Sequence, residues 1–82
     1  MVKIRFFAVL KSLVGKEEMS LQIEKGTSLG QLLENLEAEL TPLKDVIQEG
    51  KVLISVNQEV VEKTYEIKDG DEVALLPPFA GG

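Results

Sequence analysis

The chain of 82 residues contains neither cysteine nor histidine. It therefore has no disulfide, no thiol nucleophile, no imidazole base and none of the usual ligands of zinc or iron-sulfur sites. These absences exclude most enzyme mechanisms that act through side chains.

Positive charge is also scarce, because nine lysines and arginines face fourteen aspartates and glutamates and the net charge is -5. A negative net charge opposes binding to nucleic acid and to anionic membranes, and no basic patch offsets it. We therefore expect a protein partner, with no nucleic acid and no membrane. No apolar stretch reaches the length of a signal-peptide core or a membrane span, so we expect a cytoplasmic protein.

The N-terminal part of the chain predicts two strands. Residues 2–10 begin with alternation and continue as a nearly unbroken apolar run, which predicts a strand in the centre of a sheet. Residues 11–15 end in glycine and predict one helical turn or a loop. Residues 19–23 alternate again and predict a second strand that forms a hairpin with the first.

The middle of the chain predicts one long amphipathic helix. Its apolar face consists of Leu29, Leu32, Leu33, Leu36 and Leu40. Thr27 or Ser28 can cap its N-terminus, and Pro42 ends it. Gly30 stands where a capping box would have glutamate or glutamine, which predicts a weak start. Residues 43–50 predict a looser segment.

The C-terminal part predicts the remaining strands. Residues 52–56 and 72–76 are strand-like, and prolines end the second of them. Asn57-Gln58 predicts a tight reversal into a short strand at residues 60–61, and residues 68–71 predict another turn. This order of elements predicts an α+β fold in which one helix covers one face of a mixed sheet.

The opposite face of that sheet is a candidate binding surface. Alternation places Ile4 and Phe6 against the helix and Phe7 on the other side. If Leu76 and Val60 join Phe7 there, they form an exposed apolar patch of the kind that binds proteins. A one-residue change of register would instead bury all three in the core, so both readings stay open.

The end of the chain is its most informative segment. Residues 75–82 carry no charged side chain, and the sequence ends in Gly81 and Gly82. We predict a domain at residues 1–76 and an extended tail at residues 77–82, thin enough to enter a narrow pocket of another protein. The tail residues expected to contact that pocket are Pro77, Pro78, Phe79 and Ala80.

The terminal carboxylate of Gly82 is the candidate reactive group. It is a poor electrophile until a partner activates it, most simply as a mixed anhydride with AMP made from ATP. Sulfide would then give a thiocarboxylate, and a lysine amine would give an isopeptide bond. A Gly-Gly end alone also fits a merely flexible terminus.

Four segments, in order and spacing along nearly the whole chain, resemble the small subunit of molybdopterin synthase, the sulfur carrier subunit. They are Ile4-Arg5-Phe6-Phe7-Ala8, Val56-Asn57-Gln58, Asp69-Gly70-Asp71-Glu72-Val73 and Pro77-Pro78-Phe79-Ala80-Gly81-Gly82. The resemblance implies the ubiquitin-like β-grasp fold, which agrees with the predicted order of elements.

The resemblance also implies three partner proteins. An adenylyltransferase related to ubiquitin-activating enzymes would use ATP and Mg to adenylate Gly82, and a sulfur donor protein would convert it to a thiocarboxylate. The carrier would then dock on the large subunit of molybdopterin synthase, in a heterotetramer, and give sulfur to cyclic pyranopterin monophosphate during molybdenum cofactor biosynthesis.

In this resemblance Gly81 and Gly82 match the reactive end, and Phe7, Val60 and Leu76 match apolar positions that hold the partner. The catalytic acids and bases would belong to the large subunit. The chain itself is therefore expected to be a non-catalytic subunit that binds no cofactor and no metal.

Three alternatives remain. A sulfur carrier of thiamine thiazole synthesis shares the Gly-Gly end but typically lacks the Pro-Pro step seen at Pro77-Pro78. A ubiquitin-like protein modifier would use the same activated carboxylate on lysines. A β-grasp binding module with an inert tail would share only the fold.

Overall fold

Four strands form one mixed sheet in the computed structural model, which describes residues 1–77. They are β1 (Val2–Phe6), β2 (Glu18–Leu21), β3 (Leu53–Val56) and β4 (Glu72–Leu76), in the spatial order β2-β1-β4-β3. β1 pairs antiparallel with β2 and parallel with β4, and β3 pairs antiparallel with β4. The predicted central position of the first strand and its pairing with the second are confirmed.

Three helices in the described residues pack with this sheet around one core. They are α1 (Val9–Val14), α2 (Leu29–Glu39) and α3 (Pro42–Gln48). α2 is the predicted amphipathic helix, and the arrangement is the predicted β-grasp fold. No helix within residues 1–77 has the length and apolarity that a membrane span requires.

The core lies between the helices and one face of the sheet. In β1, Ile4 is fully buried and Phe6 is 1% exposed, and in β4 Val73 and Leu75 are fully buried. The alternation predicted for the first strand is therefore confirmed, and the last strand shows the same pattern. The helices contribute Leu10, Leu29, Leu32, Leu33, Leu36, Leu43 and Ile47. No polar or charged side chain is buried in the part of the chain that the structure describes.

The prediction of a strand through Leu10 is wrong beyond Phe6. Ala8 has φ 53° and ψ -129°, a conformation that interrupts the strand, and α1 begins at the next residue. Gly15 ends α1 in the left-handed conformation, with φ 85°. An unbroken apolar run suits a buried strand and a buried helix equally, and Leu10 reaches the core from α1. Residues 11–14 belong to this helix.

α2 begins with a complete capping box instead of the weak start that Gly30 predicts. The Ser28 hydroxyl accepts from the backbone N–H of Gln31 at 3.2 Å, and Gln31 Oε1 accepts from the backbone N–H of Ser28 at 3.0 Å. The prediction fails because Ser28, not Thr27, is the cap. The Gly30 N–H donates to the Lys63 carbonyl at 2.9 Å, which ties the first turn of α2 to the segment before β4.

Two predictions for the C-terminal half also need correction. Most of residues 43–50 form α3 rather than a loose segment, because Pro42 starts this helix as well as ending the preceding one. No strand forms at residues 60–61 in the described structure. The chain there makes an isolated bridge between Val56 and Glu59 instead.

The two predicted turns are confirmed and are bonded to each other. Asn57 and Gln58 have φ values of 51° and 70°, as a two-residue hairpin turn requires. The Asn57 amide donates to Asp71 Oδ1 at 2.9 Å, and its oxygen accepts from the Glu72 N–H at 3.0 Å. Asp71 Oδ2 accepts from the Lys68 N–H at 2.8 Å, which closes the second turn.

The backbone at Ala8 provides a first test. Glycine adopts this conformation without the strain that a Cβ brings, so Ala8→Gly should raise the free energy of unfolding by about 1 kcal/mol. The same change at the exposed Ala38 in α2 should lower it by up to about 1 kcal/mol, because glycine disfavours helix. Urea unfolding followed by circular dichroism measures both. If Ala8→Gly also lowered the free energy of unfolding, that result would contradict a strained backbone at Ala8.

Candidate docking face and tail exit

The face of the sheet that the helices leave uncovered, here called the open face, carries an apolar row at one end. Leu53 of β3 lies opposite Leu76 of β4. Phe6 of β1 lies opposite Leu75 of β4, and the Phe7 N–H donates to the Leu75 carbonyl at 3.2 Å. Phe7 and Leu76 are the next residues along these two parallel strands and are therefore neighbours. Phe7, Leu76 and Leu53 constitute the apolar row.

The apolar row is accessible to a partner. Leu53 is 46% exposed, and Phe7 and Leu76 are half-buried. The alternative register that would bury Phe7 and Leu76 is wrong, because Phe6 and Leu75 occupy the core positions. The sequence alone does not indicate Leu53, since its place in the row depends on the register of β3 against β4.

Val60 lies outside the apolar row. It is 71% exposed and follows the isolated bridge between Val56 and Glu59. Because residues 60–61 form no strand in the described structure, alternation does not assign its side chain to either face of the sheet. The structure therefore brings Phe7 and Leu76 together and leaves Val60 apart from them.

Charged side chains of both signs lie next to the apolar row on the open face. Arg5 Cζ lies 5.2 Å from the centroid of the Phe7 ring, a cation–π contact. Arg5 Nη1 lies 3.6 Å from Glu72 Oε2, and Lys3 Nζ lies 3.8 Å from Glu18 Oε2. Such partly exposed pairs contribute at most about 1 kcal/mol each. With two cations and two carboxylates, this part of the face has no net charge, on a chain of net charge -5.

The tail leaves the sheet beside the apolar row. β4 ends at Leu76, and the half-buried Pro77 follows it. Because β1 and β4 are parallel, this exit lies at the end of the sheet where Phe7 lies. A partner that covers the apolar row therefore also meets the start of the tail. The other predicted tail residues lie outside the described part of the chain, namely Pro78, Phe79, Ala80, Gly81 and Gly82.

The described residues offer a surface rather than a cluster of reactive side chains. Within residues 1–77, no three aspartate or glutamate side chains come together as metal ligands. The apolar row on the open face is thus suited to contact with another protein.

Stability measurements can separate the apolar row from the core. Leu53→Ser should change the free energy of unfolding by no more than about 0.5 kcal/mol, because half of its side chain is already in water. Leu75→Ala should lower it by about 2–5 kcal/mol, because it opens a cavity in the core. Urea unfolding of both variants checks this. Comparable losses would mean that Leu53 is a core residue.

The chain matches known proteins over nearly its full length, including both the sheet and the C-terminal tail. Residues 4–82 match the ThiS family. The molybdopterin synthase sulfur carrier subunit of Escherichia coli is 34% identical over 82 residues, with 100% of both chains covered. Small archaeal modifier protein 3 of Haloferax volcanii is 33% identical over 90 residues, covering 99% of this chain and 98% of that one.

A solved structure agrees in fold. In the protein–protein complex of subunits 1 and 2 of the molybdopterin-converting factor from Helicobacter pylori, the matched chain has a TM-score of 0.71 and 29% identity. The match covers 99% of this chain and 97% of that one. Both the sheet that carries the apolar row and the Gly-Gly end fall within the family match. The chain therefore belongs to the ThiS family and has its ubiquitin-like β-grasp fold.

Proposed function

We propose that the chain is the sulfur carrier subunit of a molybdopterin synthase. The observation that carries the proposal is the end-to-end likeness to the Escherichia coli sulfur carrier subunit, at 34% identity. The uncharged tail that ends in Gly81 and Gly82 begins where β4 leaves the apolar row, which supports it. A carrier needs these two parts, a surface that a partner holds and a chain end that reaches into the partner.

The reacting group is the terminal carboxylate of Gly82. An adenylyltransferase related to ubiquitin-activating enzymes binds ATP and Mg, and the carboxylate attacks the α-phosphate and displaces pyrophosphate. Sulfide delivered by a sulfur donor protein then attacks the acyl carbon. AMP leaves, and a thiocarboxylate remains on the carrier.

The loaded carrier docks on the large subunit of molybdopterin synthase and gives its sulfur to cyclic pyranopterin monophosphate. The catalytic acids and bases belong to the large subunit, and the carrier binds neither cofactor nor metal. The described residues bury no polar or charged side chain, which supports this division. Catalytic side chains usually depend on burial or on a close charged neighbour to shift their pKa values.

The length of the tail limits where the chemistry can take place. Five residues follow Pro77. A fully extended chain of that length spans at most about 18 Å. Each partner must therefore place its reaction centre within that distance of the tail exit, and its contact with the apolar row fixes the starting point.

Intact mass is the first test of the carrier chemistry. After incubation with ATP, a sulfur source and the cognate adenylyltransferase, the protein should gain the mass expected for exchange of one oxygen for one sulfur. Deletion of Gly82 should abolish the gain, and so should one residue added after it, because both displace the carboxylate from its place in the partner. A known carrier in the same mixture controls for enzyme activity. An unchanged mass beside an active control would contradict the proposal.

Docking on the large subunit is tested separately. Leu53→Asp and Val60→Asp should each weaken binding at least about tenfold, because a carboxylate at either position would lose its water against an apolar partner surface. Leu13→Asp is the matched control, since Leu13 is 43% exposed but lies on α1. Titration calorimetry with the cognate large subunit measures all three. Equal losses in all three would show that the open face is not the docking face.

A second use of the same carboxylate is attachment to proteins. The likeness to small archaeal modifier protein 3, at 33% identity, favours it as an alternative. A lysine amine would replace sulfide as the nucleophile and form an isopeptide bond. Conjugates of higher mass in a host extract, lost with Gly82, would support this use, and a thiocarboxylate without conjugates would favour the carrier alone.

A further inference from the structure

The Arg5 side chain lies on the open face and donates no hydrogen bond to any of residues 1–77. Its guanidinium lies against the Phe7 ring, and its Nη1 is 3.6 Å from Glu72 Oε2, which is too long for a hydrogen bond. Its Nε is buried and has no acceptor among the described residues. A guanidinium carries five N–H donors, so the packed Arg5 has donors free for another molecule.

A partner that covers the apolar row would bury Arg5 as well. Arg5 precedes Phe7 by two residues on the same face, and its ladder neighbours are Glu18 and the small Ala74. Its side chain is 36% exposed, and docking would remove that remaining contact with water. Because burying a charged donor without an acceptor is costly, the partner must supply an acceptor at this point.

We propose that Arg5 selects the docking partner by pairing with a carboxylate that the partner presents beside the apolar row. The proposal rests on the proposed function, because it takes the large subunit as the protein that docks there. A chain of net charge -5 repels an acidic surface except where a cation with free donors compensates. A carboxylate can also accept two parallel N–H groups from one guanidinium, which fixes its orientation.

Lys3 does not offer the same site and serves as the control. It lies two residues farther than Arg5 from Phe7 along β1, and its side chain is 49% exposed, compared with 36% for Arg5. An ammonium on a flexible stem lacks the planar fork that pairs with a carboxylate. Both cations lie on the open face, so their comparison separates a specific pair from general attraction.

The experiment measures binding of the full chain to the cognate large subunit by titration calorimetry at low and at physiological salt. Arg5→Leu should weaken binding about 30-fold or more, because it leaves a buried carboxylate of the partner unpaired. Arg5→Gln should weaken binding and reduce its salt dependence. Lys3→Gln should change affinity by less than about threefold. Arg5→Leu is decisive because it enlarges the apolar surface, so a face that needed only apolar contact would bind as well or better.

Three results with the variants would overturn the inference. The first is Arg5→Leu binding as tightly as the wild-type chain, and the second is Arg5→Gln with weaker binding but unchanged salt dependence, which would indicate a neutral acceptor. Unfolding curves check the fold of each variant. If Arg5→Leu does not fold, Arg5→Lys replaces it and should bind about three- to tenfold more weakly than the wild-type chain. The third contradicting result would be an Arg5→Lys variant that binds with unchanged affinity. A wild-type chain that fails to bind would instead refute the proposed docking itself, and this inference with it.

Discussion

The parallel pairing of β1 with β4 is the constraint on which the rest of the structure depends. Its register runs from Lys3 opposite Glu72 to Phe6 opposite Leu75 and joins the first strand of the chain to the last one described. Parallel neighbours need a long crossover, and the chain between them supplies it with α2 packed over the sheet. Because the two strands end at the same edge, Phe7 lies beside Leu76 and the tail starts there.

Local sequence predicts these two strands well because each has one buried face, and in the first strand alternation then assigns Ile4 and Phe6 to the core. The same reasoning fails just after Phe6, where an unbroken apolar run does not distinguish strand from helix. Nothing in the sequence marks Ala8 as a residue of positive φ, since alanine is not among the residues that favour it. α3 is missed because Pro42 suits both the end of one helix and the start of the next.

The candidate site likewise has parts that can be predicted from local sequence and parts that cannot. The reaction proposed for Gly82 is a prediction from the sequence alone, because a terminal carboxylate needs no tertiary contact to be identified. Phe7 follows from alternation within a single strand. The places of Leu53 and Arg5 depend on which strands are neighbours and in what register, and such pairings between distant segments have no local signal.

A single docking face has a consequence for the proposed cycle. If the open face holds both the adenylyltransferase and the large subunit, the two compete, and the carrier must leave one before it binds the other. Binding to each must then be moderate, because a slow dissociation rate would hold the cycle at that step. The apolar row can give affinity for both partners, whereas Arg5 can discriminate between them, since an unpaired buried charge penalises the wrong surface. Because the tail starts beside that row, a single docking geometry would serve both loading and transfer.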